Sequence, residues 1–185
     1  MSQVFREVQV EDVNKFLQLT LDAYASIREL DIHFSAATAT RDDAIKHISE
    51  NKVFVLEEDG TFISTVSIRL PWGPNPGPLI LPHIGWFATN PAYKRQGIGK
   101  KILSWLEEEI LKKQLRAPAV TLGTADNHPW LKEMYEKSGF EEIGQKDLGK
   151  GHVTIYLRKI LQVEQYQAWA DEHYQTILPL GGKQQ

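Results

Sequence analysis

The chain has 185 residues, 42% of them apolar, enough to fill one sizeable hydrophobic core. Its 21 Lys and Arg against 24 Asp and Glu leave a net charge of −3, which argues against general affinity for nucleic acid or an anionic membrane, so any basic site is local. Cysteine is absent, which removes disulfides, thiolate metal sites, iron–sulfur clusters and a cysteine nucleophile, and makes a cytoplasmic location the expectation.

The N-terminal stretch carries Arg6, Glu7, Glu11, Asp12 and Lys15 at intervals, unlike the apolar core of a secretion signal. Phe5 to Val8 reads as an opening strand. Val13, Phe16, Leu17, Thr20, Tyr24 and Ile27 then recur at three- and four-residue steps, the spacing of an amphipathic helix starting near Asp12. Thr40 is a suitable N-cap for a second helix whose buried side is Ala44, Ile45 and Ile48. Val53 and Val55, with Phe62, Ser64, Val66 and Ile68, flank Asp59-Gly60, a dipeptide that supplies the positive φ angles of a tight hairpin.

The run from Pro71 to Pro78 is too rich in Pro and Gly for a regular element and reads as a surface loop. Ile80 to Thr89 is almost continuously apolar, as a central strand requires, and falls far short of the ~20 residues of a membrane helix. Ile98, Ile102, Leu106 and Ile110 give a helix reaching about Lys113, with Glu108–Lys112 and Glu109–Lys113 as solvent-side pairs. Ala119 to Thr124 is a second buried strand. Leu131, Met134, Tyr135 and Ser138 mark one face of a short helix closed by Gly139. Glu141 to Lys146 and His152 to Arg158 form a hairpin, residues 163 to 177 read as helical, and the polar tail Gly181 to Gln185 is expected to be disordered.

Lys94-Arg95-Gln96-Gly97-Ile98-Gly99-Lys100 lies between the apolar strand and its helix, with no acidic residue from Thr89 to Trp105. Backbone N–H groups at such a helix start, with glycines allowing close approach and lysines adding charge, suit a phosphate or pyrophosphate. Spacing alone equally allows a glycine turn before a solvated basic helix start. A Walker A loop is excluded by Lys94 and Lys101 at its required Gly and Ser/Thr positions, and a dinucleotide fingerprint by Ile102 at its third Gly.

The segment Lys94 to Gly99 resembles the acyl-CoA signature of the GCN5-related N-acetyltransferases (GNAT family), Gln/Arg, two variable residues, Gly, one variable residue, Gly/Ala, with Lys94 at the first position. The likeness extends upstream through Ile84 to Tyr93 and downstream from Asn127 to Phe140, and covers roughly residues 4 to 158. The resemblance implies a mixed α/β fold with a central, mostly antiparallel sheet of six to seven strands, helices on both faces and an extra C-terminal helix. It divides the chain into an acetyltransferase domain, 1–160, and a helical extension with a polar tail, 161–185.

It also implies acetyl-CoA as co-substrate. Phe87, Ala88 and Thr89 would bind the pantetheine arm and polarise the thioester through their backbone. Lys94, Arg95, Gln96, Gly97, Ile98, Gly99 and Lys100 would hold the pyrophosphate, Asn127 would contact the cofactor, and Tyr135 would be the general acid. Periodicity alone makes Tyr135 a core residue. His83 has the side chain of a general base and is a candidate for that role, although a lone His beside Pro82 is more often a hydrogen-bonded structural residue. Trp72 and Trp86 could wall an acceptor pocket, but aromatic residues at such positions are more often packing. The six histidines show no metal-ligand spacing and no Ser lies in a nucleophile elbow, so no metal is expected.

The expected activity is transfer of acetyl from acetyl-CoA to a primary amine of a small molecule or peptide by direct attack. The alternatives are an acyl-CoA-binding regulatory module without turnover and a transferase of larger acyl groups. No nucleic-acid or membrane partner is expected, and the C-terminal helix offers a face to the domain itself or to a second subunit of a homodimer. Replacing Gly99 by Val is expected to obstruct the pyrophosphate and spare the fold.

Overall fold

The structure, a computed structural model, describes residues 2–29 and 34–173. His33, Tyr174, the end of the 163–177 segment and the tail Gly181 to Gln185 lie outside the described residues. The chain forms two compact units, one of residues 1–69 with 85–106 and one of residues 70–84 with 107–185. Seven strands and six α-helices are present among the described residues.

In the first unit the strand order is β1 (Gln3–Glu7), β2 (Lys52–Glu58), β3 (Thr61–Arg69) and then the later part of β4 (His83–Thr89). β1 and β3 both pair antiparallel with β2. Asp59 and Gly60 take φ of 49° and 82° in the tight turn joining β2 to β3, as the Asp-Gly dipeptide requires. Both faces of this hairpin are buried: Phe54, Leu56 and Ile63 lie inside along with Val53, Val55, Phe62 and Val66.

The predicted first helix is two, α1 (Val13–Ala23) and α2 (Ala25–Glu29), with the break at Tyr24. α3 (Arg41–Glu50) begins at a reciprocal cap, in which the Asp43 amide donates to Thr40 Oγ1 at 3.2 Å and the Thr40 amide donates to Asp43 Oδ2 at 2.9 Å. Phe16, Leu19, Ala44 and Ile48 from α1 and α3 pack with Val53, Val55 and Phe62 as the core of this unit. α4 (Ile98–Trp105) buries Ile98, Ile102 and Leu103.

Helical structure continues past α4, but not as the expected α-helix. Leu106–Gln114 is π-helical, and the wide winding shows at its end, where the Leu115 amide donates to the Ile110 carbonyl, five residues back, at 2.8 Å. Adjacent Ile110 and Leu111 are both buried there, together with Leu106. The two expected surface pairs form, Glu108–Lys112 at 2.7 Å and Glu109–Lys113 at 2.8 Å.

In the second unit the order is β4, β5 (Ala119–Ala125), β7 (Val153–Ile160) and β6 (Glu141–Asp147). His83 and Ile84, the first two residues of β4, pair parallel with Thr121 and Leu122, whereas β7 pairs antiparallel with both β5 and β6. α5 (Pro129–Lys137) ends at Gly139, whose φ of 97° suits glycine. α6 (Val163–Glu172) follows β7.

β4 starts at His83 rather than at Ile80, because the preceding residues are committed elsewhere. Leu79 and Leu81 pack with Ala119 against Tyr166 and Trp169 of α6, and Trp169 Nε1 donates to the Ile80 carbonyl at 3.2 Å. Arg158 of β7 adds to this anchorage by donating to the Tyr166 hydroxyl at 2.7 Å. Among the described residues no helix is long and apolar enough to cross a membrane.

Candidate active site

The glycine loop follows β4 directly. Asn90 Oδ1 accepts from the Ala92 amide at 2.9 Å, capping the short turn Pro91–Tyr93, and Arg95 and Gly97 then take φ of 62° and 69°. These two left-handed residues reverse the chain into α4, whose first intrahelical bond runs from the Lys101 amide to the Gly97 carbonyl at 3.0 Å. The amides ahead of Lys101 lie in the first turn, where a helix has no internal acceptor for its N–H groups. Lys94, Arg95, Gln96, Gly97 and Lys100 are exposed. The Ile98 side chain faces the core, which leaves its backbone for any ligand.

The two glycines differ in a way their spacing does not reveal. A Cβ on Gly97 would stand in open space, whereas a Cβ on Gly99 would lie 3.0 Å from Phe87 Cζ and 3.6 Å from Thr89 Oγ1. Gly97 therefore leaves room for an anion, and Gly99 lets α4 approach β4. Gly99→Val is thus a packing change, not the fold-neutral block expected from sequence.

Within the first unit, β4 is held by side chains from other elements. The Tyr24 hydroxyl donates to the Phe87 carbonyl at 2.9 Å, and Ser64 Oγ donates to the Ala88 carbonyl at 2.9 Å while lying 3.0 Å from Thr89 Oγ1. Trp86 has a φ of 44°, rare for an aromatic residue in a strand. Its ring stacks on His47 at 4.0 Å and on Phe16 at 6.0 Å, and its Nε1 donates to Ser35 Oγ at 3.2 Å. His47 is 8% exposed and lies 2.7 Å from Ser67 Oγ. Burial, assisted by the Arg69 charge, pulls its pKa down to about 3, so it is neutral at pH 7. Trp86 thus packs as the top of a buried ring stack, and Trp72 is 72% exposed.

In the second unit, Tyr135 on α5 is 8% exposed, with its ring edge-on to Phe140 at 5.8 Å. Burial raises the pKa of its phenol, which keeps it protonated, the form from which a proton donor starts. Met134, predicted on the same face, is exposed.

His83 is 6% exposed, and its Nδ1 is in a 2.7 Å hydrogen bond with Thr121 Oγ1. Gly77 packs so closely over it that a Cβ there would fall 2.5 Å from His83 Cβ. The hydrogen-bonded reading of His83 accounts for all of this. Asn127 is exposed and lines a cavity of about 500 Å³ at the end of β5.

Three buried histidines, His47, His128 and His152, escaped the sequence reading. His47 belongs to the buried face of α3, where its three-residue spacing from Ala44 could have been read as core. His128 is buried against Trp130, with ring centroids 3.7 Å apart, its Nδ1 has no hydrogen-bond partner among the described residues, and burial lowers its pKa.

The chain is similar to known proteins. Residues 17–140 match the family described as Acetyltransferase (GNAT) family. An S-(2-succino)cysteine N-acetyltransferase from Bacillus subtilis is 51% identical over 162 residues, 88% of this chain and 98% of the relative. An S-alkylcysteine N-acetyltransferase from the same organism is 40% identical over 164 residues, 88% and 92% of the two chains. Among solved structures, the PaiA N-acetyltransferase of Thermoplasma acidophilum in complex with coenzyme A superposes with a TM-score of 0.62 at 17% identity, over 86% of this chain and 99% of that one.

Proposed function

Because the chain belongs to the acetyltransferase (GNAT) family, we propose that it transfers an acetyl group from acetyl-CoA to the α-amine of a cysteine carrying a substituent on sulfur. The chain is an N-acetyltransferase. The observation that carries the acceptor is the 51% identity, over 98% of its length, to an enzyme named for S-(2-succino)cysteine, seconded by the S-alkylcysteine enzyme. What the two acceptors share is a cysteine α-amine and α-carboxylate, with the group on sulfur differing. Dependence on acetyl-CoA and a chain without cysteine fit a cytoplasmic enzyme.

In the reaction the neutral amine attacks the thioester carbonyl, a C–N bond forms, the C–S bond breaks, the amine loses a proton and the sulfur gains one. The exposed loop Lys94 to Gly97 and the first turn of α4 hold the pyrophosphate, with Gly97 leaving the approach open. β4, anchored by Tyr24 and Ser64, presents the backbone that orients the thioester. Tyr135 gives its proton to the departing sulfur. A phenol can do so as negative charge builds up there, since a thiol of pKa ~8.5 makes a moderately basic thiolate.

The test is a thiol-release assay with acetyl-CoA against S-(2-succino)cysteine, S-methylcysteine, free cysteine, polyamines and peptides. Turnover of S-substituted cysteines in preference to the other amines is expected. Turnover confined to polyamines or peptides refutes the acceptor, and no thiol release with any amine refutes catalysis.

A further inference from the structure

Arg69, the last residue of β3, is a half-buried cation beside the strand that orients the thioester. A Cβ on Gly85 would lie 3.8 Å from Arg69 Nε, so the guanidinium stands next to the bare backbone of β4. Ser67, two residues earlier and therefore on the same face of β3, has its Oγ 2.7 Å from His47. His47 in turn stacks on Trp86, the residue after Gly85, and feels the Arg69 charge. His47 is neutral at pH 7, so Arg69 carries the charge of this cluster. All of these residues belong to the first unit.

The side of the strand matters as much as the charge. α4 meets β4 through Phe87 and Thr89, whose atoms would lie 3.0 and 3.6 Å from a Cβ on Gly99. A cofactor held at the start of α4 therefore approaches β4 from that side. Trp86 packs instead with the core formed by α1 and α3, where His47 and Arg69 also lie. A second substrate reaching β4 from this side meets Arg69 beside Gly85 and, two residues on, the Phe87 carbonyl held by the Tyr24 hydroxyl.

Two residues of strand span at most about 7 Å. A guanidinium–carboxylate contact takes up about 2.8 Å of this and leaves about 4 Å, which the single carbon between an α-carboxylate and its amine bridges. We propose that Arg69 binds the α-carboxylate of the acceptor and so sets the amine against the thioester-orienting residues of β4. The planar fork of N–H donors on an arginine matches a carboxylate with two parallel bonds. A free α-carboxylate also favours the protonated form of the amine beside it. Pairing that carboxylate with a guanidinium lifts the effect and favours the neutral amine that attacks. The proposal rests on the acceptor reading above and adds the residue that recognises the end shared by both cysteine derivatives.

The experiment compares wild type, Arg69→Met and Arg69→Lys on two amines, S-methylcysteine and 2-(methylthio)ethylamine, the second being the first without its carboxylate. Arg69→Met keeps an apolar stem and removes the fork and the charge. It should lower kcat/KM for S-methylcysteine roughly 10- to 100-fold, as expected for the loss of a hydrogen-bonded charge pair, and leave the KM for acetyl-CoA and kcat/KM for 2-(methylthio)ethylamine unchanged. Arg69→Lys, with the charge but not the fork, should fall between the two on S-methylcysteine. The wild type should prefer S-methylcysteine to its decarboxylated analogue, and Arg69→Met should lose that preference.

Unchanged kcat/KM for S-methylcysteine in Arg69→Met overturns the proposal. Equal weakening on both amines overturns it too, because the change then does not read the carboxylate. Should Arg69→Met fold poorly, Arg69→Lys and the wild-type preference decide, and a wild type that acetylates both amines equally well refutes a carboxylate subsite. Turnover of S-methylcysteine without any such split leaves the acceptor reading standing. If the wild type acetylates neither S-methylcysteine nor S-(2-succino)cysteine, the acceptor reading fails and this proposal falls with it.

Discussion

Replacing His47 by Gln should remove a defined part of the pH dependence of stability. His47 lies under Trp86, 2.7 Å from Ser67 Oγ and within the field of Arg69, and burial holds its pKa at about 3 against an ordinary 6.5. Below pH 6.5 the unfolded chain binds a proton that the folded chain does not, so stability is full above that value and is lost as pH falls toward 3. Between about pH 7.5 and about pH 5 the loss is RT ln of the proton-binding ratio of the two states, about 2 kcal/mol.

Urea unfolding of wild type and His47→Gln at both pH values isolates this contribution, because the other titrating groups are common to the two proteins. The variant is less stable at the higher pH, having lost the ring stack, and its loss on acidification is smaller by about 2 kcal/mol. Parallel pH profiles would refute the assignment and mean that His47 is protonated as readily in the folded chain as in the unfolded one.

Tyr135→Phe keeps the ring that meets Phe140 edge-on and removes the proton; kcat should fall by ~10²–10⁴ with the melting temperature and the KM for acetyl-CoA little changed, and near-wild-type kcat with chemistry limiting removes Tyr135 as the acid. Gly97→Ala puts a methyl group in open space at a left-handed φ of 69°, so calorimetry should show weaker acetyl-CoA binding with a stability cost of about 1 kcal/mol. Gly99→Val should instead lower the melting temperature first, through the 3.0 Å approach to Phe87, and a fully stable variant with weak binding would reverse the two roles. Trp169→Ala, which removes the bond to the Ile80 carbonyl and packing on Leu79 and Leu81, should cost about 1–3 kcal/mol in denaturant unfolding, and a change within error would show α6 to be dispensable to that loop.

The features legible in the sequence are those whose cause is local. The Asp59-Gly60 turn, the Thr40 cap, the Gly139 stop and the Glu108–Lys112 and Glu109–Lys113 pairs each depend on residues within a few positions of one another. So does the glycine loop, whose order after an apolar strand and before a helix is readable from spacing, and whose resemblance to an acyl-CoA signature is matched by the family found for the chain. Other features depend on partners that spacing does not name. The start of β4 was set by α6, some 80 residues later, and by Gly77 lying over His83. The two glycines of one short motif were told apart only by Phe87, which one of them faces and the other does not. The neutral state of His47 on α3 came from burial under a tryptophan of β4. Chain-local torsional and capping preferences need no fold to act, whereas desolvation, close approach and the field of paired charges exist only once distant segments have been packed together.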